Sequence, residues 1–386
     1  MRKFMAIYII VILSFFIFSG QACLAGEADP QAEVKPEQEI VVRAKVLNVS
    51  EGQELPEAMD GWTQGKEQLL TVKVLSGTFK GEEIKLSHVI PDQPGLGVIV
   101  KPGDEVVLSI QVEGNTITSA FVSDHARDKK LYYLAGLFAL LMVLIGRMKG
   151  LKSVFSLVLT GVGIFYVLLP MLFKGHSPIL ATVLLAAVMT TITMTLVHGV
   201  NYKTLAGIIG TTSGVLVAGL LALLIGKAAH LTGFSSEEMQ MLLYIPQKIA
   251  FDYQGLLFAG MIIGALGAVM DVSISIASAI EEIKRVNPLL GTKDLFRSGM
   301  NVGGDIMGTM ANTLILAYTG GAIPLILIFM AYEMPYLKMI NLDLIATEIV
   351  RALTGSIGLI MAIPITSMVA GLLFNRVKRK SAVDSE

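Results

Sequence analysis

Hydrophobic and polar positions along the 386-residue chain follow two different periods. Between Glu39 and Asp124 the period is two: Ile40-Val41-Val42-Arg43-Ala44-Lys45-Val46 and Leu69-Leu70-Thr71-Val72-Lys73-Val74-Leu75 mix β-branched and charged residues in strand-like alternation. Turn signals separate such runs at Ser76-Gly77, Lys80-Gly81, Lys101-Pro102-Gly103-Asp104 and Glu113-Gly114-Asn115. The pattern predicts five or six short strands forming a small closed barrel, with an OB-like arrangement as the candidate. After Arg127-Asp128-Lys129-Lys130 the pattern changes abruptly. Apolar runs long enough to cross a bilayer follow at 131–146, 153–173, 178–199, 204–226, 255–280, 303–331 and 345–374. The fold class read from this is a membrane all-α helical bundle of about seven spans, preceded by an extracytoplasmic small β-barrel domain. The first run is short and draws on residues to either side. The sixth contains Gly320-Gly321 and Pro324, which predicts a kink or a break.

The amino terminus adds a third region. Arg2 and Lys3 precede an apolar run from Phe4 to Phe18, and small residues follow in Gly20-Gln21-Ala22-Cys23-Leu24-Ala25. A basic start, a short apolar core and a small-residue cleavage site describe a secretory signal peptide over residues 1–25, with an uncleaved anchor as the alternative. The β domain then occupies 39–126, the spanning domain 129–376 and a tail 377–386.

Composition agrees. The chain is 53% hydrophobic and 16% charged, with a mean hydropathy of +0.68, whereas soluble proteins carry about 25% charged residues. One cysteine excludes a disulfide scaffold, and a net charge of −1 gives no basic field for nucleic acid. Aromatics in the β domain are too few and scattered for a base-stacking platform, so a structural or envelope-partner docking role is expected there. Charge in the loops sets an orientation. Arg147, Lys149, Lys152, Lys203, Lys284, Arg285, Lys293, Arg297, Arg376, Lys378, Arg379 and Lys380 fall on one side, against Lys174, Lys227, Lys248 and Lys338 on the other. The positive-inside rule places the first set in the cytoplasm, the β domain outside and the C-terminus inside.

Candidate chemistry lies in polar residues inside the spans. The fifth carries Gly260, Gly264, Gly267, Asp271, Ser275, Ser278 and Glu282 at steps of three and four, which places them on one helical face. Glycines and serines on such a face suit close helix packing. A carboxylate at the depth of Asp271 must be paired, protonated or facing water. The sixth span opens with Asn301, Asp305, Gly308 and Asn312 at the same spacing, able to offer oxygens to a cation or hydrogen bonds to a polar substrate. Asp271, Ser275, Ser278, Asn301, Asp305 and Asn312 are the candidate substrate- or ion-binding residues, set against an interhelical hydrogen-bond clamp without a ligand. The two stripes are expected to point at each other or into a shared cavity. Glu348 and Arg351, three apart, are a candidate structural ion pair. Thr191, Thr195 and His198 share a face of the third span, where threonines more often bond their own helix. No metal site, cofactor or catalytic residue is expected: histidines lack ligand spacing, and P-loop, G-x-S-x-G and HExxH sequences are absent. An intramembrane aspartyl hydrolase using Asp271 and Asp305 is the enzymatic alternative.

Two long segments carry a family resemblance. Gly264-Ala265-Leu266-Gly267-Ala268-Val269-Met270-Asp271-Val272 with Ser275-Ile276-Ala277-Ser278-Ala279 forms the first. Ser298-Gly299-Met300-Asn301 with Asp305-Ile306-Met307-Gly308-Thr309-Met310-Ala311-Asn312-Thr313-Leu314 forms the second. The chain resembles the YibE/F family of bacterial membrane proteins along nearly its whole length. The resemblance implies a multi-spanning membrane protein and carries over no catalytic residue and no substrate. Taken with the two stripes, the expected role is a permease or secondary transporter of a small molecule or ion, in contact with the lipid bilayer. The alternative is a membrane scaffold or sensor whose outer domain binds an envelope partner.

Overall fold

A computed structural model describes residues 38–55, 65–91, 97–114, 116–245 and 249–383. The predicted signal peptide lies outside these residues. The chain divides into two compact units, one ending at Leu140 and the other beginning at Leu141.

The first unit is a curled antiparallel sheet of β1 (Gln38–Leu55), β2 (Gly65–Val74), β3 (Glu83–Pro91), β4 (Glu105–Glu113) and β5 (Thr116–His125), in the order β3-β2-β1-β4-β5. Alternation explains its two faces. Val42, Ala44 and Val46 of β1 are buried with Leu70 and Val72 of β2 and Leu108 and Ile110 of β4, while Lys45 between them is exposed. Turn glycines sit where the sequence signals placed them, with φ of +83° at Gly77 and +97° at Gly103, a region that favours glycine. The order is that of an OB-type barrel opened at one seam. A closed barrel was expected. Instead β3 and β5 approach each other without a hydrogen-bonded ladder among the described residues. An extra residue in β1 between Val46 and Asn48, and one in β5 opposite the step from Val107 to Leu108 of β4, accompany the curl.

Among the described residues eight helices follow: α1 (Asp128–Phe173), α2 (Pro178–His198), α3 (Tyr202–Ala228), α4 (Glu237–Met241), α5 (Tyr253–Val286), α6 (Thr292–Ala331), α7 (Tyr336–Ile340) and α8 (Asp343–Val383). Six of them, all but α4 and α7, are long and apolar enough to cross a membrane. At 46 residues α1 is too long for one straight crossing, and it is broken at Arg147, where φ is 49° and ψ −131°. Beyond the break a Cβ at Gly150 would overlap the Met142 carbonyl oxygen, which a straight helix would hold two turns away. The runs predicted at 131–146 and 153–173 are therefore the two arms of α1. Its turn lies in the basic cluster of Arg147, Lys149 and Lys152.

Of the kink or break expected in the sixth span, the break does not occur: α6 continues through Gly320, Gly321 and Pro324, as α8 continues through Pro364. In a bilayer, neighbouring helices can supply the partners a proline removes. The segment between the fifth and sixth apolar runs is mostly helical: α5 extends to Val286 and α6 starts at Thr292, which leaves residues 287–291, with Asn287-Pro288, as the turn. Gly291 N–H donates to Asp294 Oδ2 at 3.2 Å at that start.

The core of the bundle forms where α8 packs on α3, α5 and α6, with α5 also against α2 and α3. Ile262, Ala265, Val269, Val272, Ile276 and Ile280 of α5 are buried there with Leu359, Ala362 and Ile363 of α8. Glycine permits the closest approach. A Cβ at Gly214 would lie 2.8 Å from the Gly358 carbonyl oxygen, and one at Gly358 would lie 2.7 Å from that of Gly214.

Candidate functional site

Helix α5 separates its residues cleanly by face. Phe258, Ile262, Val269, Ile276 and Ile280 are buried in the bundle, whereas Gly260, Gly264, Gly267, Asp271, Ser275 and Glu282 are exposed and Ser278 is half-buried. Helix α6 does the same. Leu295, Gly299, Gly303, Leu314 and Phe329 are buried, and Asn301, Asp305, Gly308 and Asn312 are exposed. The helical spacing read from the sequence thus gives real faces on both helices.

The helices run antiparallel in contact. A Cβ at Gly299 would lie 2.7 Å from Ile280 Cδ1, one at Gly303 3.3 Å from Ile276 Cδ1, and one at Gly264 2.6 Å from Tyr318 Oη. This register brings Asp305 to the level of Ser275 and Asp271 to the level of Gly308. The expectation that the stripes point at each other needs correction. Ile276 and Ile280 meet Gly299 and Gly303 in this contact and Gly264 meets Tyr318, while Asp271, Ser275, Asn301, Asp305 and Asn312 stay exposed and Ser278 half-buried. Among the described residues, no hydrogen bond or ion pair reaches the side chains of Asp271, Ser275, Ser278, Asn301, Asp305 or Asn312. The stripes offer two carboxylates, two amides and two hydroxyls at matched levels, a set that can bind a polar solute or an ion in a water-filled path. Directly against lipid, each charged carboxylate would cost about 2.5–3.5 kcal/mol on insertion scales.

Several other polar residues of the spans have local partners. Arg351 Nη1 lies 3.1 Å from Glu348 Oε1, one turn earlier on α8. Thr191 Oγ1 donates to the Ala187 carbonyl at 2.9 Å, and Ser156 of α1 donates to Thr193 Oγ1 at 2.6 Å. His198 sits half-buried at the end of α2. No group of three or more metal-ligating His, Cys, Asp or Glu side chains occurs among the described residues.

Residues 134–376 match the family model described as YibE/F-like protein, and residues 39–125 match the YibE/F family N-terminal domain. The chain belongs to the YibE/F family. No curated protein and no solved structure matches it. The two family regions coincide with the helices and the curled sheet, and both polar stripes fall inside the larger one.

The YibE/F bundle also holds polar residues that periodicity does not flag. Thr211 of α3, Ser273 of α5 and Thr366 and Ser367 of α8 have no exposed surface, and their hydroxyl oxygens have no hydrogen-bond partner among the described residues. Ser273 lies two residues from Asp271 and faces the opposite way, into the core. The available signal was the small-residue series Gly207, Gly210 and Gly214, which marks where α3 lets side chains of other helices approach its backbone.

In the first unit, charges cluster where β1, β4 and β5 meet the first residues of α1. Arg43 pairs with Asp128 and lies 3.8 Å from Glu105, Lys129 Nζ lies 2.7 Å from Glu105 Oε1, and Arg127 Nη1 lies 2.6 Å from Asp124 Oδ2. The hydrogen bond from Lys129 holds the Glu105 carboxyl below its ordinary value, and that from Arg127 does the same for Asp124. An open pocket of about 560 Å³ lies beside this cluster, lined by Val41, Arg43, Ser76, Val107 and Lys129 among others.

Proposed function

We propose that the chain is a permease or secondary transporter of a small polar solute or ion. The observation that carries this reading is the pair of polar stripes, with Asp271, Ser275 and Ser278 on α5 and Asn301, Asp305 and Asn312 on α6, at matched levels on consecutive spans. Packing does not use them, and lipid would penalise them, so water or protein covers them. Prolines inside α6 and α8 are a further feature that moving spans tolerate. The sequence holds no nucleotide-binding loop, so an ion gradient or a partner supplies the energy.

The charge bias of the loops supports an orientation with the sheet outside and the C-terminus in the cytoplasm. A reporter fused after Lys380 should be active only in the cytoplasm; activity only outside would overturn this orientation. For function, metabolite and ion profiles of a deletion strain should shift in one solute class. Wild-type protein should restore them, and Asp271→Asn or Asp305→Asn, present at normal membrane levels, should not. Full restoration by both variants would refute the reading.

A second reading, a scaffold or sensor, draws on the sheet. β3 and β5 are each paired on one side only among the described residues, and an unpaired strand edge is a surface that partner strands use. Cross-linking from β3 and β5 positions to one reproducible envelope protein, with solute profiles unchanged in the deletion strain, would favour it. A hydrolase would require Asp271 and Asp305 within hydrogen-bond reach, and no hydrogen bond joins them among the described residues.

A further inference from the structure

A second polar group forms where α5, α6 and α8 meet, at the other end of the α5 stripe from Ser275. Packing contacts fix the levels. Cβ atoms at Gly303 and Gly299 of α6 would meet Ile363 and Ser367 of α8, so these two helices run antiparallel. Fifteen residues onward from Gly303 on α6, and fifteen back from Ile363 on α8, Tyr318 stands level with Glu348. A Cβ at Gly355 would lie 3.3 Å from Ala265 Cβ, which brings Arg351, one turn earlier on α8, to the stretch of α5 between Gly260 and Gly264. Tyr318 closes the group. A Cβ at Gly264 would lie 2.6 Å from its Oη, and the charges of Glu348 and Arg351 both act on that hydroxyl.

The group is neither packed shut nor saturated. A Cβ at Gly260 would meet nothing within 4 Å, so space lies open one turn from Gly264. The side chains of Glu348 and Arg351 keep 24% and 30% of their exposure. A guanidinium carries five N–H donors in a planar fork. Arg351 turns Nη1 to Glu348 at 3.1 Å, while its Nε is buried without a hydrogen-bond partner among the described residues. Thr354, three residues on, donates its hydroxyl to the Val350 carbonyl at 2.7 Å and offers the guanidinium nothing. Among the described residues no hydrogen bond reaches the Tyr318 hydroxyl either.

The unused donors define a chemistry. The Nε–Nη2 edge of a guanidinium matches the two oxygens of a carboxylate, and a tyrosine hydroxyl beside it adds a third donor. One cation already shared with Glu348 suits a singly charged group better than a phosphate dianion. Ionisable residues inside spans mark solute and ion pathways.

We propose that Arg351 and Tyr318 form a subsite for a carboxylate group of the solute, with Glu348 aiming the guanidinium and competing for it. As a statement of solute class this rests on the transport reading; carboxylate binding itself does not.

The test uses the purified full-length chain in detergent. Acetate, propionate and butyrate are the probes, their amides the neutral matches, and sulfate at equal ionic strength the control for anions in general. At least one acid should raise the thermal midpoint saturably, and its amide and sulfate should not. Arg351→Gln and Arg351→Lys, which keeps the charge but loses the fork, should each raise the half-saturating concentration about tenfold, and Tyr318→Phe about threefold. Glu348→Gln should lower it, because a competing like charge is gone. That opposite sign separates a subsite from a purely structural ion pair, whose two halves would act alike. Where Arg351→Gln fails to fold, Arg351→Lys and Tyr318→Phe carry the comparison. No response to any acid, an equal response to amide or sulfate, or weaker binding in Glu348→Gln as in Arg351→Lys would overturn the proposal. Carboxylate binding with no solute shifted in the deletion strain would refute the transport reading and leave the subsite standing. A shifted solute class without a carboxylate, fully restored by Arg351→Lys, would do the reverse.

Discussion

Helices α3 and α6 are both rich in glycine, yet the glycines of α3 and those beside the polar stripe of α6 have opposite surroundings, whereas Gly299 and Gly303 of α6 lie in the packed seam. On α3, a Cβ at Gly207 would touch Met194, one at Gly210 would overlap Thr366, and one at Gly214 would press on Val269 and the Gly358 carbonyl. On α6, Gly304, Gly308, Gly320 and Gly321 would meet nothing within 4 Å. Inside a bilayer small residues let helices approach, so on α3 they are a packing device and the seam is complete. On α6 the same residue type lies open beside Asn301, Asp305 and Asn312. A small-residue stripe therefore has no meaning apart from what it meets. The unfilled stripe, not the filled one, is where a solute path is to be sought.

The largest effect that tests this contrast is overpacking the filled seam. Gly214→Val should cost at least about 1–3 kcal/mol, because one obstacle is backbone and cannot turn aside. A sharp fall in the thermal midpoint, or loss of monodisperse protein on size exclusion, is the expected reading. Gly308→Val should change stability by no more than about 0.5 kcal/mol. Equal damage at both positions would show that the stripe face of α6 is also packed, and the contrast would collapse.

Next in size are the carboxylates. Asp271→Asn and Asp305→Asn should leave the thermal midpoint close to wild type, since no partner within the described residues is lost, while solute restoration in the deletion strain fails. A variant that unfolds would assign the carboxylate to the structure instead. A smaller effect is expected at the seam between α1 and α2, where Ser156→Ala removes the hydrogen bond to Thr193. About 0.5–1.5 kcal/mol should be lost there, read by thermal or chemical unfolding.

The smallest effect belongs to the sheet. Glu105 and Asp124 have folded pKa values below their ordinary 4.5 and 3.8, so each favours folding while ionised. That contribution is fully present above the ordinary values and is lost as pH falls through the lowered ones. Hydrogen exchange of β4 amides should therefore hold steady from neutral pH down to about 5 and, after correction for intrinsic exchange, lose protection only in stronger acid. Lys129→Met should reduce that acid sensitivity. An onset of lost protection above pH 5 would contradict the assignment.

Much of this was legible because the bilayer enforces simple patterns. Period-two alternation found the strands, and apolar runs found each spanning helix, including the two arms of α1. The stripes around Asp271 and Asp305 were legible as faces, because helical spacing fixes which residues share a side. Where each face points was not, since that depends on which neighbour covers it. Ile276 and Ile280, not the polar residues, turned out to face α6. The open seam of the sheet depends on whether β3 and β5 come within pairing distance, which no local alternation encodes. The unpartnered hydroxyls of Ser273 and Thr366 were least visible: isolated hydroxyls in apolar helices usually bond their own backbone, and only three-dimensional packing distinguishes these from Thr191 or Thr354.

The central claim is that the stripes on α5 and α6 border water rather than lipid. Single cysteines at Ser275 and Gly308, with the native Cys23 replaced, report on this directly, alongside a control at Leu220, an exposed apolar position of α3. In native membranes, a small water-soluble thiol reagent should modify Ser275→Cys and Gly308→Cys much faster than Leu220→Cys, and a membrane-permeant apolar reagent should reverse the order. Rates at the two stripe positions no faster than at Leu220→Cys would place both stripes against lipid or in a dry protein seam, and the account of a solute path along α5 and α6 would be wrong.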